Sequence, residues 1–255
     1  MYNSSALRSH YPMQLNTSRT LNNQTGDEEQ RRSFDRELTF MPADYLRRVS
    51  PERMNRHVGL IMSHPGYPLK TFVQNPVSID MVRSGSTDRL VTFSMNSPRS
   101  LVHVTAAIAL SGGSIQSADL YPRTDGTLVI EVEFHAAPGS DGRTLSEMAV
   151  KQFHARIGEA PTPVCEPVRD LELHTRNETA TGLSIIELRA VDTRGLLYRT
   201  ARAFAMLGVK IVRCDIRTTN GRAYDTFIVT DRLGRPLDFE RELGFLKREI
   251  LSDAF

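Results

Sequence analysis

An internal repeat constrains the fold of this chain more than any other feature of its sequence. Residues 90–134 align with residues 186–229 at an offset of about 95 or 96 positions. The coinciding pairs are Gly112 with Gly208, Ile115 with Ile211, and Asp119 with Asp215. Because such self-similarity marks a structural unit that occurs more than once, we expect two copies of one folding plan.

The second copy begins with a strand and a helix. Residues 185–191 alternate apolar and charged side chains, which is the period-2 pattern of a strand with one buried face. From residue 196 to residue 207, apolar residues recur at steps of three or four and predict an amphipathic helix. Gly208 is placed to end this helix, since glycine accepts the left-handed conformation common at helix C-termini.

A hairpin follows the helix in both copies. Residues 209–217 and 223–229 are rich in Val, Ile, Tyr, Phe and Thr, which favour strands. Asn220-Gly221 lies between them and is the pair that a tight hairpin turn prefers. Asp125-Gly126 takes the same place in the first copy.

Each copy also has a strand in front, at 77–82 and 168–174, and a helix behind, at 144–157 and 238–251. Because the chain stops on its last helix, the front strand must supply the edge that a closing strand would otherwise form. The sequence therefore predicts an α+β fold of two ferredoxin-like units, each ββαββα, with a four-stranded antiparallel sheet and two helices on one face.

The segments outside the repeat are predicted to be a tail and two linkers. The tail is rich in Asn, Ser, Thr and Gln, so we expect disorder. Ser50 and Pro51 have the residue types that start a helix. The expected ranges are a disordered tail at 1–39, a leading helix and linker at 40–70, the first unit at 71–158, a linker at 159–167 and the second unit at 168–255.

Composition excludes several classes of partner. A formal net charge of +2 is too mild to favour binding to nucleic acid. No apolar run reaches the ~18 residues of a membrane span. Two cysteines in 255 residues suggest a reducing compartment, so we expect a cytoplasmic protein. The acid-free start of the chain leaves a transit peptide open as an alternative.

A strand followed by D-x-x-GLL, a helix ending in LGV, and the hairpin IRTTNGRAYDTFIV together resemble an ACT domain, a small module that binds amino acids. Within that superfamily the chain is most similar to the ACT pair at the C-terminus of the bidirectional PII-protein uridylyltransferases. That family usually has proline where this chain has Arg194. The segment before the repeat also resembles the linker that precedes the ACT pair in that family. The residues that carry this resemblance are Met41, Pro42, Tyr45, Ser50, Pro51, Glu52 and His57.

The loop before the second helix is the candidate ligand site. Unpaired N–H groups at a helix N-terminus suit an amino-acid carboxylate, and glycine permits close approach. A structural reading remains open, in which Asp192 only caps the helix and Gly195 only fits a turn. The resemblance implies that the ligand also contacts the neighbouring strand. The predicted ligand-binding residues are Asp192, Thr193, Arg194, Gly195, Leu196, Leu197, Asp215 and Ile216, with Arg217 as a further candidate.

The corresponding loop of the first unit, residues 96–101, has a serine, Ser100, where the glycine is expected. A Cβ atom there would crowd a ligand. We therefore expect the first unit to be structural, with one ligand site in the chain.

Catalytic motifs are not found in the sequence. Neither an Asp-x-Asp pair for magnesium nor a His-Asp pair occurs, and the seven histidines are dispersed. We predict no metal and no cofactor, and we interpret His57 as structural.

Three functions are compatible with these observations. The first is a non-catalytic regulatory protein that senses an amino acid, with glutamine favoured by the resemblance. The second is a truncated or split PII uridylyltransferase that needs a separate catalytic chain. The third is an assembly module without a ligand. A homodimer through the sheets and a separate signalling or enzyme partner are both compatible with the sequence.

Overall fold

The computed structural model describes residues 24–64, 77–84, 87–137, 142–154 and 161–252. The disorder predicted for residues 1–23 and the linker predicted at 65–70 lie outside these ranges. The chain divides into two compact parts, Met1–Arg36 and Glu37–Phe255. Every strand in the described ranges, and so both repeated units, belongs to the longer part.

The elements follow the predicted order. The helices are α1 Gln24–Thr39, α2 Tyr45–Arg48, α3 Pro51–Met62, α4 Ser100–Leu110, α5 Gly142–His154, α6 Leu196–Leu207 and α7 Phe239–Leu251. The strands are β1 Ser78–Ser84, β2 Thr87–Met95, β3 Ser114–Pro122, β4 Thr127–His135, β5 Glu172–Glu178, β6 Leu183–Val191, β7 Lys210–Thr219 and β8 Arg222–Thr230. Both halves therefore read ββαββα, which confirms the predicted α+β fold of two ferredoxin-like units.

The two four-stranded sheets join into one antiparallel sheet of eight strands, in the order β1-β2-β4-β3-β7-β8-β6-β5. The junction is between β3 and β7, where Ser117 pairs with Arg217 and Ala118 pairs with Ile216. Each front strand forms an outer edge, β1 on β2 and β5 on β6, as predicted. The pairing of the two units within the chain was not predicted.

Backbone irregularities repeat between the two units. The β3–β4 register shifts between Ile115 and Ser117, and the β7–β8 register shifts between Ile211 and Arg213, at the repeated positions. The predicted Asn220-Gly221 turn is also present, with φ of 52° and 71°. Shared bulges of this kind support a common plan for the two units.

Helices α4, α5, α6 and α7 lie on one face of the sheet and form the main core with it. Helix α4 packs against α6, so the helical layer is continuous across the junction. The opposite face of the first unit is covered by α2 and α3. That smaller core contains Met41, Tyr45, Val49, Leu60, Ile61, Val91, Phe93, Tyr121 and Val129.

Residues 24–39, which belong to the tail for which disorder was predicted, form α1 in the structure. Composition predicts disorder where little apolar surface can be buried. The last turn of α1 is instead held by charge, because the buried carboxylate of Glu37 lies 2.6 Å from the guanidinium of Arg123.

Candidate ligand site

The loop before α6 has a sharper turn than the sequence suggested. Gly195 is the N-cap residue, with φ of 90° in the left-handed region, and α6 starts at Leu196. The Asp192 side chain does not cap this helix, contrary to the prediction, because two residues separate it from the N-cap. Burial raises the pKa of Asp192, and hydrogen bonds with Thr218 and Ser114 oppose that rise.

The linker between the units covers one side of this loop. A Cβ atom on Gly195 would lie 2.8 Å from the Cβ atom of Cys165. The Glu166 N–H donates to the Arg194 carbonyl at 3.0 Å, and the Arg199 guanidinium donates to the Glu166 carbonyl at 3.3 Å. The close approach that Gly195 permits is therefore to the protein's own linker.

The other side of the loop faces a small cleft at the junction of the two units, with a cavity volume of about 30 Å³. We call it the Asp225 cleft. Its second-unit lining is Asp192, Thr193, Arg194, Gly195, Leu196, Leu197, Tyr198, Ile216, Thr218, Ala223 and Asp225. Its first-unit lining is Thr105, Ile108, Ala109, Gly113, Ser114 and Ile115.

The structure brings together all but one of the predicted ligand residues. Asp192 to Leu197 and Ile216 line the cleft, whereas Asp215 does not. Asp215 is half-exposed and pairs with Arg217 at 2.7 Å. Neighbours along a strand point to opposite faces, so Asp215 and Arg217 lie on the face away from Ile216 and the helices.

Asp225 is the main residue that the sequence analysis missed. It pairs with Leu188 on β6 and Ile216 on β7, so its side chain shares their buried face. It is only 3% exposed, and its Oδ1 atom has no hydrogen-bond partner among the described residues. Burial raises its pKa to about 8, and the charges of Asp192 and Asp215 act in the same direction. An acid at an inward position of the apolar strand β8 was a signal available in the sequence.

A second cleft, which we call the Lys210 cleft, lies at the repeated position on the other side of the junction. Its cavity volume is about 190 Å³. It is lined by Asn96, Ser97, Pro98, Leu101, Leu120, Gly126, Leu128, Lys210 and Ile211. It is larger than the Asp225 cleft, although no ligand site was expected there. None of these lining residues has a carboxylate.

Ser100 does not hold the position in the first unit that Gly195 holds in the second, contrary to the prediction. The residue that precedes α4, as Gly195 precedes α6, is Arg99, and its φ of −87° is an ordinary helical value. Ser100 is the first residue of α4, where its hydroxyl donates to the Met95 carbonyl at 2.9 Å. The two loops thus differ by a left-handed glycine against a right-handed arginine.

The leading segment contributes a buried network on the opposite face of the first sheet. His57 hydrogen bonds to the Tyr45 hydroxyl at 2.8 Å and to the Glu131 carboxylate at 3.0 Å. Arg53 donates to the same carboxylate through Nε at 2.8 Å. These contacts confirm that His57 is structural. In the described part of the chain, no group of three or more His, Cys, Asp or Glu side chains could hold a metal ion.

Comparison with known proteins relates this chain to one class of bacterial enzyme. No family model matches the chain. It is 25% identical over 224 residues to the bifunctional uridylyltransferase/uridylyl-removing enzyme of Methylococcus capsulatus, which covers 82% of this chain and 25% of that protein. The enzyme of the same name from Bradyrhizobium diazoefficiens is 27% identical, over 82% of this chain and 24% of the relative. That of Erythrobacter litoralis is 35% identical over 86 residues, or 33% of this chain and 9% of the relative.

The chain therefore spans about a quarter of the length of the curated relatives that it matches over most of its own length. Two solved microcompartment shell proteins also match, the double-ringed trimeric protein of the RMM microcompartment and trimeric PduB. They are 12% and 11% identical and cover 69% of this chain and 91% and 86% of theirs. Their TM-scores of 0.23 and 0.25 are too low to carry an argument. None of the helices in the described ranges is long and apolar enough to cross a membrane.

Fold and site together define a protein of two ferredoxin-like units with a polar cleft at their junction. The sequence comparisons then establish a relationship to the bifunctional uridylyltransferase/uridylyl-removing enzymes over 82% of this chain.

Proposed function

We propose that this chain is a non-catalytic regulatory module of two ACT-type units that binds an amino acid in the Asp225 cleft. The observation that carries the proposal is the meeting of an α6 N-terminus with two carboxylates, Asp192 and Asp225, at the junction of the units. An amino acid presents both a negative and a positive group. The start of α6 and the two carboxylates offer a complement to each.

The helix end supplies the positive side of this match. The first N–H groups of a helix have no partners within the helix and carry a partial positive charge. Leu196 and Leu197 start α6 and line the cleft. The Leu196 N–H already donates to the Thr193 carbonyl at 3.1 Å, so the donor proposed for a ligand is the Leu197 N–H. The side chain of Arg194, 41% exposed, adds a full positive charge at the same loop. A ligand carboxylate is favoured there.

Glutamine is the amino acid we propose, from the resemblance of the repeat to the ACT pair of the PII-protein uridylyltransferases, and regulation of nitrogen metabolism is the role. The relatives' names describe transfer and removal of uridylyl groups, and this chain matches about a quarter of their length. A split form of such an enzyme, which would act with a separate catalytic chain, is the second candidate function. It would be favoured if a nucleotidyltransferase subunit copurified with this chain.

We also propose where a second copy would attach. The β3–β7 pairing already joins the two units, so β1 and β5 are left as the outer strands of the described sheet. Backbone groups at such an edge can pair with a strand of another chain. A homodimer through the sheets would therefore use β1 or β5.

A thermal-unfolding screen of the full chain against the twenty amino acids tests the proposed function. A ligand that binds only the folded state raises its stability, by about 2.7 kcal/mol at a hundredfold excess over Kd. We expect a rise in Tm with glutamine or a close analogue. Curves that coincide for all twenty amino acids would contradict the proposal and favour an assembly module without a ligand.

A further inference from the structure

Asp225 is an unusual residue to find at the floor of a small cleft. It lies near the middle of β8, it is 3% exposed, and the described residues supply no partner for its Oδ1 atom. The backbone N–H of Arg217 acts to lower the pKa of this carboxyl, but burial outweighs it. One hydrogen bond does not replace the several that a carboxylate has in water, so this burial costs free energy.

The fold itself does not require an acid at this position. The first unit has Ile130 at the repeated position, flanked by Thr92 and Leu120 just as Asp225 is flanked by Leu188 and Ile216. Ile130 is fully buried in the core. An apolar side chain therefore fits the same place in the same plan, and the acid needs another explanation.

Charged neighbours within the protein do not explain why an acid stands at position 225. The charges that act on Asp225 are those of two further acids, Asp192 from the loop and Asp215 from β7. The cation of the loop, Arg194, lies 4.0 Å from Glu166 of the linker. Two acids close to a third disfavour its ionised form, and a positive group supplied by a ligand would act against that effect.

We propose that the Asp225 cleft selects ligands with a cationic amino group, which Asp225 binds as its counter-ion and Asp192 accepts as a second contact. The proposal rests on the function proposed above for the same cleft, and it assigns the specificity to one residue. Recognition then has a polarity: the ligand ammonium group lies at the two carboxylates and its carboxylate lies at the start of α6. The Lys210 cleft has no acid in its lining and should not make this selection.

Titration calorimetry of the full chain at pH 8 tests the proposal with matched ligands. L-glutamine is the first probe, the other nineteen amino acids follow, and any that binds is compared with its N-acetyl derivative, which keeps the carboxylate but has no ammonium group. We expect N-acetylation to weaken binding about 10- to 100-fold, as loss of one hydrogen bond between charged groups does. We expect Asp225→Asn to weaken the parent amino acid similarly and to bring the two affinities to within about threefold of each other.

Glu187→Gln is the matched control, since it removes an acid from the opposite face of the same sheet, outside the cleft, whose charge is not among those that act on Asp225. It should leave both affinities and their ratio unchanged. Thermal unfolding of each variant checks the fold, and Asp225→Asn should be at least as stable as the parent because it removes a buried acid.

The outcomes separate this inference from the proposed function. If the parent binds an amino acid and its N-acetyl derivative equally, the cleft binds amino acids but the assignment of the ammonium group to Asp225 is wrong. The same follows if Asp225→Asn keeps the parent's discrimination. If none of the twenty amino acids binds, both the proposed function and this inference are overturned.

Discussion

Asp225 and Ile130 occupy the same position in the two units of one sheet. One is an acid whose Oδ1 atom has no hydrogen-bond partner among the described residues, and the other is an apolar core residue. The units share their element order, their bulges and their hairpins. They differ in the chemistry of the clefts at their junction. This difference separates a candidate ligand site from its structural counterpart.

The first prediction concerns the stability of Asp225→Asn as a function of pH. The pKa of Asp225 is raised from 3.8 to about 8 in the folded chain by burial, with the charges of Asp192 and Asp215 adding to it. Between these values the folded state keeps a proton that the unfolded state has lost, so stability falls as pH rises. The stability gained by Asp225→Asn should therefore grow from pH 5 to pH 8, by at most about 4 kcal/mol.

Urea unfolding at several pH values measures this gain. Glu187→Gln, on the opposite face of the sheet, should give a curve nearly parallel to that of the parent. A gain from Asp225→Asn that is constant across pH 5 to 8 would show that Asp225 ionises without a penalty.

The second prediction concerns Glu131, which the leading segment covers. Burial acts to raise the pKa of Glu131, but hydrogen bonds from His57 and Arg53 outweigh it and lower the pKa from 4.5 to about 2. The stability from these contacts is fully present above pH 4.5 and is lost as pH falls through about 2. Glu131→Gln should cost roughly 3 kcal/mol at pH 7, with the cost shrinking in acid.

Glu133→Gln is the control for Glu131, because Glu133 lies two residues along the same strand and is 38% exposed. Its ion pair with Arg89 is half-exposed and should be worth less than about 1 kcal/mol. Equal unfolding free energies for the two variants at pH 7 would contradict the stabilising role of the contacts of Glu131 with His57 and Arg53.

The third prediction separates backbone strain from crowding at Gly195. Gly195→Ala would place a side chain at φ of 90° and bring a Cβ atom within 2.8 Å of Cys165. Gly234→Ala meets only the first penalty, because φ is 80° and nothing lies within 4 Å. We expect Gly234→Ala to cost about 1–2 kcal/mol and Gly195→Ala clearly more.

Adding Cys165→Gly to Gly195→Ala should recover the crowding part of the cost and leave the strain. Thermal unfolding of the two single variants and the double variant gives the coupling between the residues. If the free-energy costs of Gly195→Ala and Cys165→Gly simply add in the double variant, the linker does not pack closely against Gly195.

Much of the fold could be predicted from the sequence because periodicity and turn residues are local signals. The Asn220-Gly221 hairpin and the Gly208 helix end are both present as expected. The β3–β7 junction could not be predicted, since it depends on which of several edges meet in space. The loop conformation was also missed, because Gly195 rather than Asp192 stands at the start of α6.

The candidate site was predictable in part for the same reason. The loop at 192–197 carries a sequence pattern, and it does line the cleft together with Ile216. The first-unit residues, such as Ser114 and Thr105, reach the cleft only through the junction of the units. Asp225 could have been identified from the alternation in β8, where it stands on the inward face.

The central claim is that the Asp225 cleft is the amino-acid site, and calorimetry on two matched variants tests it most directly. Ser114→Trp fills the Asp225 cleft from the first residue of β3, and Lys210→Trp fills the Lys210 cleft from the first residue of β7. We predict that Ser114→Trp abolishes binding of L-glutamine, or of whichever amino acid binds most tightly, while Lys210→Trp keeps the parent affinity within about threefold. Binding that survives Ser114→Trp and is lost in Lys210→Trp would contradict the account.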